Sequence, residues 1–260
     1  MTVALVVLCA LGGLLVGSFL NVVIWRVPRG ESVVRPPSAC PACHAPIRPR
    51  DNVPLLSWAV LRGKCRDCAK PVSVRYPAVE AGCSLLFGLL AARFGADAAL
   101  PAFLYLAAVG LALAIIDIDT HRLPNALTLP AYPVALALLA LALLGDHAWS
   151  QLARAALGGI ALFVLYVAIR LAYPAGMGLG DVKLSGVLGL YAGWVGWGAW
   201  GVAAFLAFLY GGMFGIAQMS RGRASRKTQV PFGPFMLLGT LTGVLAGEQI
   251  WHAYLSLTAV

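Results

Sequence analysis

Two acidic residues where apolar runs meet polar turns, and four cysteines in two close pairs, are the residues of this 260-residue chain best placed to do chemistry. Asp181 follows the turn Met177-Gly178-Leu179-Gly180 and precedes a long apolar run. Asp119 closes another such run, in Ile115-Ile116-Asp117-Ile118-Asp119-Thr120-His121-Arg122. An acid at the mouth of a membrane helix is costly to desolvate, which points to proton or ion handling. The glycines before Asp181 open backbone conformations closed to other residues, so the chain there can bend to admit a substrate. Two carboxylates brought close share a proton, the state needed for general acid–base work.

Ion transport and metal binding are the other uses of such a pair. Transport tends to place acids near the middle of the bilayer within repeated halves, whereas these lie at the rim and no repeat is evident. Metal binding lacks supporting histidines, His121 being the only neighbour. Asp117 and Asp119 are two positions apart, hence about 200° around a helix, and cannot both face one partner. Asp119, nearer the loop and leading into Thr120 and the Leu123-Pro124-Asn125 turn, is read as the partner of Asp181. Lys183 and Arg122 read as interfacial anchors able to bias the acids.

Cys40-Pro41-Ala42-Cys43 and Cys65-Arg66-Asp67-Cys68 are two CxxC pairs with 21 residues between them. Each pair can present two thiolates to one ion, and together they make a four-cysteine zinc site with no open position, hence a structural one. Disulfides are the alternative, disfavoured if the loop lies in a reducing compartment. Cys9 and Cys83 fall in apolar runs and read as packing residues.

The elements that must position these groups are membrane helices. A chain that is 60% hydrophobic and 11% charged, with a mean hydropathy of +0.84, is a polytopic membrane protein and not a soluble domain. Its net charge of +9 is concentrated in short loops, which fits topology better than nucleic-acid binding. The first 25 residues are uncharged and lack a basic segment before the apolar core, so they read as a retained span. Apolar runs at 1–25, 77–92, 98–116, 125–144, 152–173, 184–220 and 230–254 follow, the fourth carrying Pro130 and Pro133. Residues 184–220 would extend about 55 Å as one helix, too long for a bilayer, so they fold as two spans turning at Gly193-Trp194-Val195-Gly196-Trp197-Gly198. The expected fold is all-α, with about eight transmembrane helices and a small cytoplasmic zinc-binding domain between the first two. The division is 1–25, first helix; 26–76, cysteine loop; 77–260, helical bundle. With 26–76 in the cytoplasm, 17 of the 19 Lys and Arg residues fall on that side, leaving Arg93 and Arg154 opposite. Asp119 and Asp181 then share the cytoplasmic rim.

Taken together, the sequence resembles the bacterial type IV prepilin peptidases, GxGD aspartyl intramembrane proteases. The likeness runs through Gly17-Ser18-Phe19-Leu20-Asn21-Val22-Val23-Ile24-Trp25-Arg26-Val27-Pro28, both CxxC pairs, Asp51-Asn52-Val53-Pro54-Leu55-Leu56-Ser57-Trp58 and Leu61-Arg62-Gly63-Lys64-Cys65. It continues through Arg75-Tyr76-Pro77-Ala78-Val79-Glu80, Asp119-Thr120 with Leu123-Pro124-Asn125, and Gly178-Leu179-Gly180-Asp181-Val182-Lys183-Leu184. The resemblance implies removal of the basic leader from prepilins and pseudopilins after a glycine, on the cytoplasmic side of the inner membrane. It also implies N-methylation of the new N-terminal residue, often Phe, from S-adenosylmethionine. Its catalytic aspartates map to Asp119 and Asp181, and Asn125 is not counted as catalytic. Methylation goes with the cysteine-bearing region, which relatives that only cleave lack. Asn21, Asp51, Asn52, Arg62, Arg75, Tyr76 and Glu80 are the candidates for methyl-donor binding, with helix capping and loop hydrogen bonding as their other reading. A cleavage-only peptidase and a non-catalytic scaffold of pilus or secretion assembly are the alternative functions.

Overall fold

The apolar runs fold as helices because only a helix satisfies every backbone polar group within one segment. The computed structural model describes residues 2–145, 148–222 and 230–258, and among them there is no strand. The helices are α1 (Thr2–Arg26), α2 (Leu56–Val60), α3 (Arg75–Phe94), α4 (Leu100–Thr120), α5 (Asn125–Ala142), α6 (Trp149–Ala172), α7 (Leu179–Val195), α8 (Trp197–Ser220) and α9 (Gly233–Thr258). All but the short α2 match the runs expected to cross the membrane. By length and composition α1, α3, α4, α5, α6 and α8 are able to cross one. The basic residues Arg223, Arg226 and Lys227, used in the charge count, lie outside the described residues. Two boundaries differ from expectation in a way that matters. Helix α7 begins at Leu179, so Asp181 lies in its first turn, and α4 extends to Thr120, so Asp117 and Asp119 are both helical.

The chain forms two compact units, Met1–Ala112 and Leu113–Val260. In the first, α1 packs along α3. Gly13 and Gly17 admit the close approach: a Cβ at either would lie 2.7 Å from the backbone of Ser84 or Glu80 respectively. Small residues four apart are the usual device for helix association in lipid, where burying apolar surface gives no drive. The Ser84 hydroxyl donates to the Ala10 carbonyl at 2.8 Å and bridges the same seam.

In the second unit α7 is the inner helix, packed by α5, α6, α8 and α9. Val182 and every residue from Leu184 to Trp194 are buried. Gly158 and Gly159 of α6 meet Gly186, Gly189 and Gly193 of α7, and Gly239, Gly243 and Gly247 of α9 meet Ala207, Ala203 and Ala199 of α8. The turn expected within the 184–220 run falls at Gly196, between α7 and α8. Neighbouring helices cap it on both sides. Arg154 of α6 donates from Nε to the Gly193 carbonyl and from Nη2 to that of Trp194, each at 2.7 Å. Glu248 of α9 accepts the Ala199 N–H at 2.9 Å. A cation at the C-terminus of α7 and an anion at the N-terminus of α8 match the signs of the helix dipoles. Arg154, an exception to the charge asymmetry, is thus a cap and not a topological signal.

Candidate functional site

The acid site is built where the end of α4 from Leu113 onward meets α7 and α9, within the second unit. On the last turns of α4 the buried stripe is Ala112, Leu113, Ile116 and Asp117, with Asp117 only 5% exposed. Helix α4 ends where the His121 N–H bonds the Asp117 carbonyl at 2.8 Å, with His121 in the left-handed region at φ 52°. The following turn swings Leu123 across to α7 and α9. A Cβ on Gly180 would lie 2.9 Å from Leu123 Cβ, and one on Gly233 would lie 3.4 Å from Leu123 Cδ2.

Asp181 stands three residues beyond Gly178, the cap of α7, and its Oδ2 accepts the Gly178 N–H at 3.1 Å. This is half of a capping box, and it orients the carboxylate at the helix mouth. Asp117 Oδ2 accepts the backbone N–H of Gly233, first residue of α9, at 3.0 Å. Leu123 links the two acids, lying against Gly180, the residue before Asp181, and against Gly233, the donor to Asp117. Tyr166 packs with Phe208 and Phe232, ring centroids 5.5 and 6.3 Å away.

The expected pairing of Asp119 with Asp181 is therefore not the one the helix makes. The predicted separation of the two α4 acids onto different faces holds, but the inward one is Asp117, and Asp119 is exposed. The reason is rotational: the buried stripe of α4 passes through positions 113, 116 and 117, and 119 lies across the axis from it. Lys183 is turned away to another partner, its ammonium donating to Asn125 Oδ1 at 3.0 Å. Its carbonyl accepts the Tyr132 hydroxyl at 2.6 Å, tying α5 to α7. Gly233 is a site residue that the sequence reading did not single out. The available signal was Pro231-Phe232-Gly233-Pro234, a glycine next to a proline at a helix start.

The cysteines converge as expected. Sγ atoms of Cys40, Cys43, Cys65 and Cys68 all lie within 4.8 Å of one another. Cys40 and Cys68 are 3.8 Å apart and Cys43 and Cys65 are 4.0 Å apart. Zinc–thiolate bonds near 2.3 Å give tetrahedral edges of about 3.8 Å, so the four sulfurs fit that ion. The two knuckles repeat one backbone pattern 25 residues apart. In each the first cysteine's N–H bonds the carbonyl five residues on, at 2.9 Å: Cys40 to Ala45 and Cys65 to Lys70. The residue after each second cysteine has positive φ, 59° at His44 and 56° at Ala69. Backbone N–H groups of Ala42 and then Cys43 hold the Cys40 thiol down at about 6. The Ala45 N–H favours the Cys43 thiolate, yet burial and the thiols of Cys68, Cys40 and Cys65 push that group up to about 12. Four thiols this close do not all ionise unaided, and a dication supplies the missing charge. Around them, Arg66 grips Asp51 through Nε at 2.9 Å and Nη2 at 2.6 Å, and Arg48 pairs with Asp67 at 2.9 Å. Hydrogen bonding to Arg66 holds the Asp51 carboxyl below the ordinary carboxylate range. The Trp58 indole donates to the Val72 carbonyl at 3.1 Å and packs on Gly63.

Of the seven methyl-donor candidates, three gather at one end of the α1–α3 pair. Asn21 Nδ2 donates to the Tyr76 carbonyl at 3.2 Å, and the buried Glu80 accepts the Leu55 N–H at 2.7 Å. Asp51 is committed to Arg66, and Arg62 sits at φ 52° in the turn before Gly63. Arg75 begins α3, and Asn52 ends the short 3-10 turn Pro49–Asp51.

Two family models match overlapping parts of the chain. Residues 11–94 match the model of the bacterial peptidase A24 N-terminal domain, and residues 84–216 match that of the type IV leader peptidase family. The chain is 36% identical to a prepilin leader peptidase/N-methyltransferase of Stutzerimonas stutzeri, over 96% of this chain and 93% of that one. It is 34% identical to one of Pseudomonas aeruginosa over the same shares, and 35% identical to one of Neisseria gonorrhoeae over 95% of this chain and 92% of that one. No solved structure matches the chain.

Proposed function

Since the chain belongs to the type IV leader peptidase family, we propose that it removes the leader from prepilins and pseudopilins and N-methylates the residue thereby exposed, with Asp117 and Asp181 as the acid pair. The observation that carries the first activity is that Asp117 and Asp181 are each held by a backbone N–H at a helix end, with Leu123 packed against both Gly233 and Gly180 between them. Asp119 maps less well, being exposed on the far side of α4.

Two carboxylates brought together in this way share one proton. The ionised member takes a proton from water, and the resulting hydroxide attacks the scissile carbonyl. The protonated member donates its hydrogen to the carbonyl oxygen, which becomes the second hydroxyl of a tetrahedral intermediate. Collapse breaks the C–N bond as the first acid passes its proton to the leaving amine and the second takes one back from a hydroxyl of the intermediate, whose oxygen becomes the product carbonyl; this restores the shared-proton state.

The four cysteines would hold one structural zinc that orders the loop, adding no open coordination position. S-adenosylmethionine, as methyl donor, would supply an electrophilic methyl group for the new amine. Asn21, Tyr76 and Glu80 suit its ammonium and carboxylate groups, and Glu80 also anchors the Leu55 turn to α3. We place the loop and the acid pair on the cytoplasmic face of the inner membrane, with α7 and α9 completing eight spans. The test is incubation of the purified protein with a prepilin and labelled S-adenosylmethionine. Leader removal and labelling of the mature N-terminus are expected. Cleavage without label would leave a peptidase alone, and neither product would leave the scaffold reading.

A further inference from the structure

The start of α9 shows an unusual allocation of backbone donors. A helix leaves its first N–H groups unbonded, and in a buried setting each needs a partner. Here the Phe235 and Met236 N–H groups both go to the Phe232 carbonyl, at 3.0 and 3.1 Å, and Pro234 has none. The open donor of this turn is Gly233, and it is given to Asp117, 116 positions away in sequence, in a buried bond of 3.0 Å. There is no room for a side chain beside it. A Cβ at position 233 would lie 2.8 Å from Asp117 Oδ2 and 3.4 Å from its Cγ. Leu123 sits against both Gly233 and Gly180, so close packing runs from the α9 start to the residue before Asp181.

We propose that Gly233 is a positioning residue of the acid pair: its N–H fixes Asp117 by Oδ2, leaving Oδ1 for the reaction, and its missing Cβ lets α9 come that close. The inference rests on the assignment of Asp117 and Asp181 as the acid pair. Proline at 234 serves the same arrangement, because it brings no second donor to compete for the carboxylate.

The experiment compares leader cleavage by the wild-type full-length protein, Gly233→Ala, and a protein made by cell-free translation whose residue-233 amide is replaced by an ester. The ester keeps the shape of glycine, removes the donor and weakens the Phe232 carbonyl as acceptor, so an ester at residue 235, which removes a donor to that same carbonyl and leaves Gly233 N–H in place, is the control and should keep wild-type kcat. Losing a buried hydrogen bond to a carboxylate lowers kcat roughly 10- to 100-fold. Gly233→Ala should fall at least as far, since it adds the collision with Asp117. KM should stay within about twofold for the ester, since the substrate's own contacts are untouched. A purely structural role for Gly233 would instead leave kcat of the folded ester protein at the wild-type level, and that result overturns the inference alone. A wild-type protein that does not cleave, or an Asp117→Asn variant that does, overturns the functional reading and this inference with it.

Discussion

At the scale of single residues, the decisive feature is that α4 carries two acids and only one is turned inward. Buried Asp117 shares its surroundings with Leu123, Gly180 and Gly233, while Asp119 is exposed. The contact at Gly180 gives a prediction. Its Cβ would meet Leu123 Cβ at 2.9 Å, so Gly180→Ala must push the α4–α5 turn away from Asp181. Misplacing a reacting group by even part of an ångström is costly, and a fall in kcat of about 10²-fold is expected in a cleavage assay. The pair also predicts a bell-shaped dependence of kcat on pH. Activity fails at low pH when both acids are protonated and at high pH when both are ionised, with two apparent constants that belong to the pair. A single sigmoid would mean one working carboxylate. The identity of the inward acid was not legible in the sequence. Helix α4 is apolar around its whole circumference, so hydropathy gives no inside face. Sequence could show that 117 and 119 differ in direction, but not which direction is buried. Gly233 was hidden for another reason: its partner is 116 positions away, and no local pattern records such a contact.

At the scale of elements, the cysteine loop and the α7–α8 break are each held by groups that a single substitution can remove. The loop has Trp58, two ion pairs and the four sulfurs, with few apolar side chains to spare. Serine at Cys40, Cys43, Cys65 or Cys68 should abolish stoichiometric zinc, measured by elemental analysis of the purified protein. Methyl transfer should fall much further than cleavage, because the acid pair belongs to the other compact unit. Equal loss of both activities in folded protein would contradict that division. Arg154→Ala leaves the last carbonyls of α7 without their donors, which costs about 1–3 kcal/mol and should lower the melting temperature. An unchanged melting temperature would mean that the cap is replaced by water. The CxxC spacing made the sulfur cluster legible from sequence, since each knuckle is a local structure. The capping of α7 by α6 and of α8 by α9 was not, because Arg154 and Glu248 read in sequence only as isolated charges.

At the scale of the whole molecule, charge placement marked out the helices well. Each expected run is helical, with 184–220 divided into two helices, and the break near Gly196 falls inside the predicted turn, because three glycines beside tryptophans in an overlong apolar run leave little choice. Sidedness is the matching prediction. Reporter fusions after Ser73 and after Thr258 should report opposite faces of the membrane, with Ser73 cytoplasmic; the same face for both would mean an even number of spans between them. The central claim is that Asp117, and not Asp119, works with Asp181. It is tested most directly by leader cleavage with purified Asp117→Asn, Asp119→Asn, Asp181→Asn and the Asp117/Asp181 double variant, all at matched levels. Asparagine keeps the shape and removes the ionisation. Asp117→Asn and Asp181→Asn should each lose at least about 10³-fold in kcat, the double variant should lose little more than either, and Asp119→Asn should stay within a few-fold of wild type. An active Asp117→Asn beside an inactive Asp119→Asn would contradict the account.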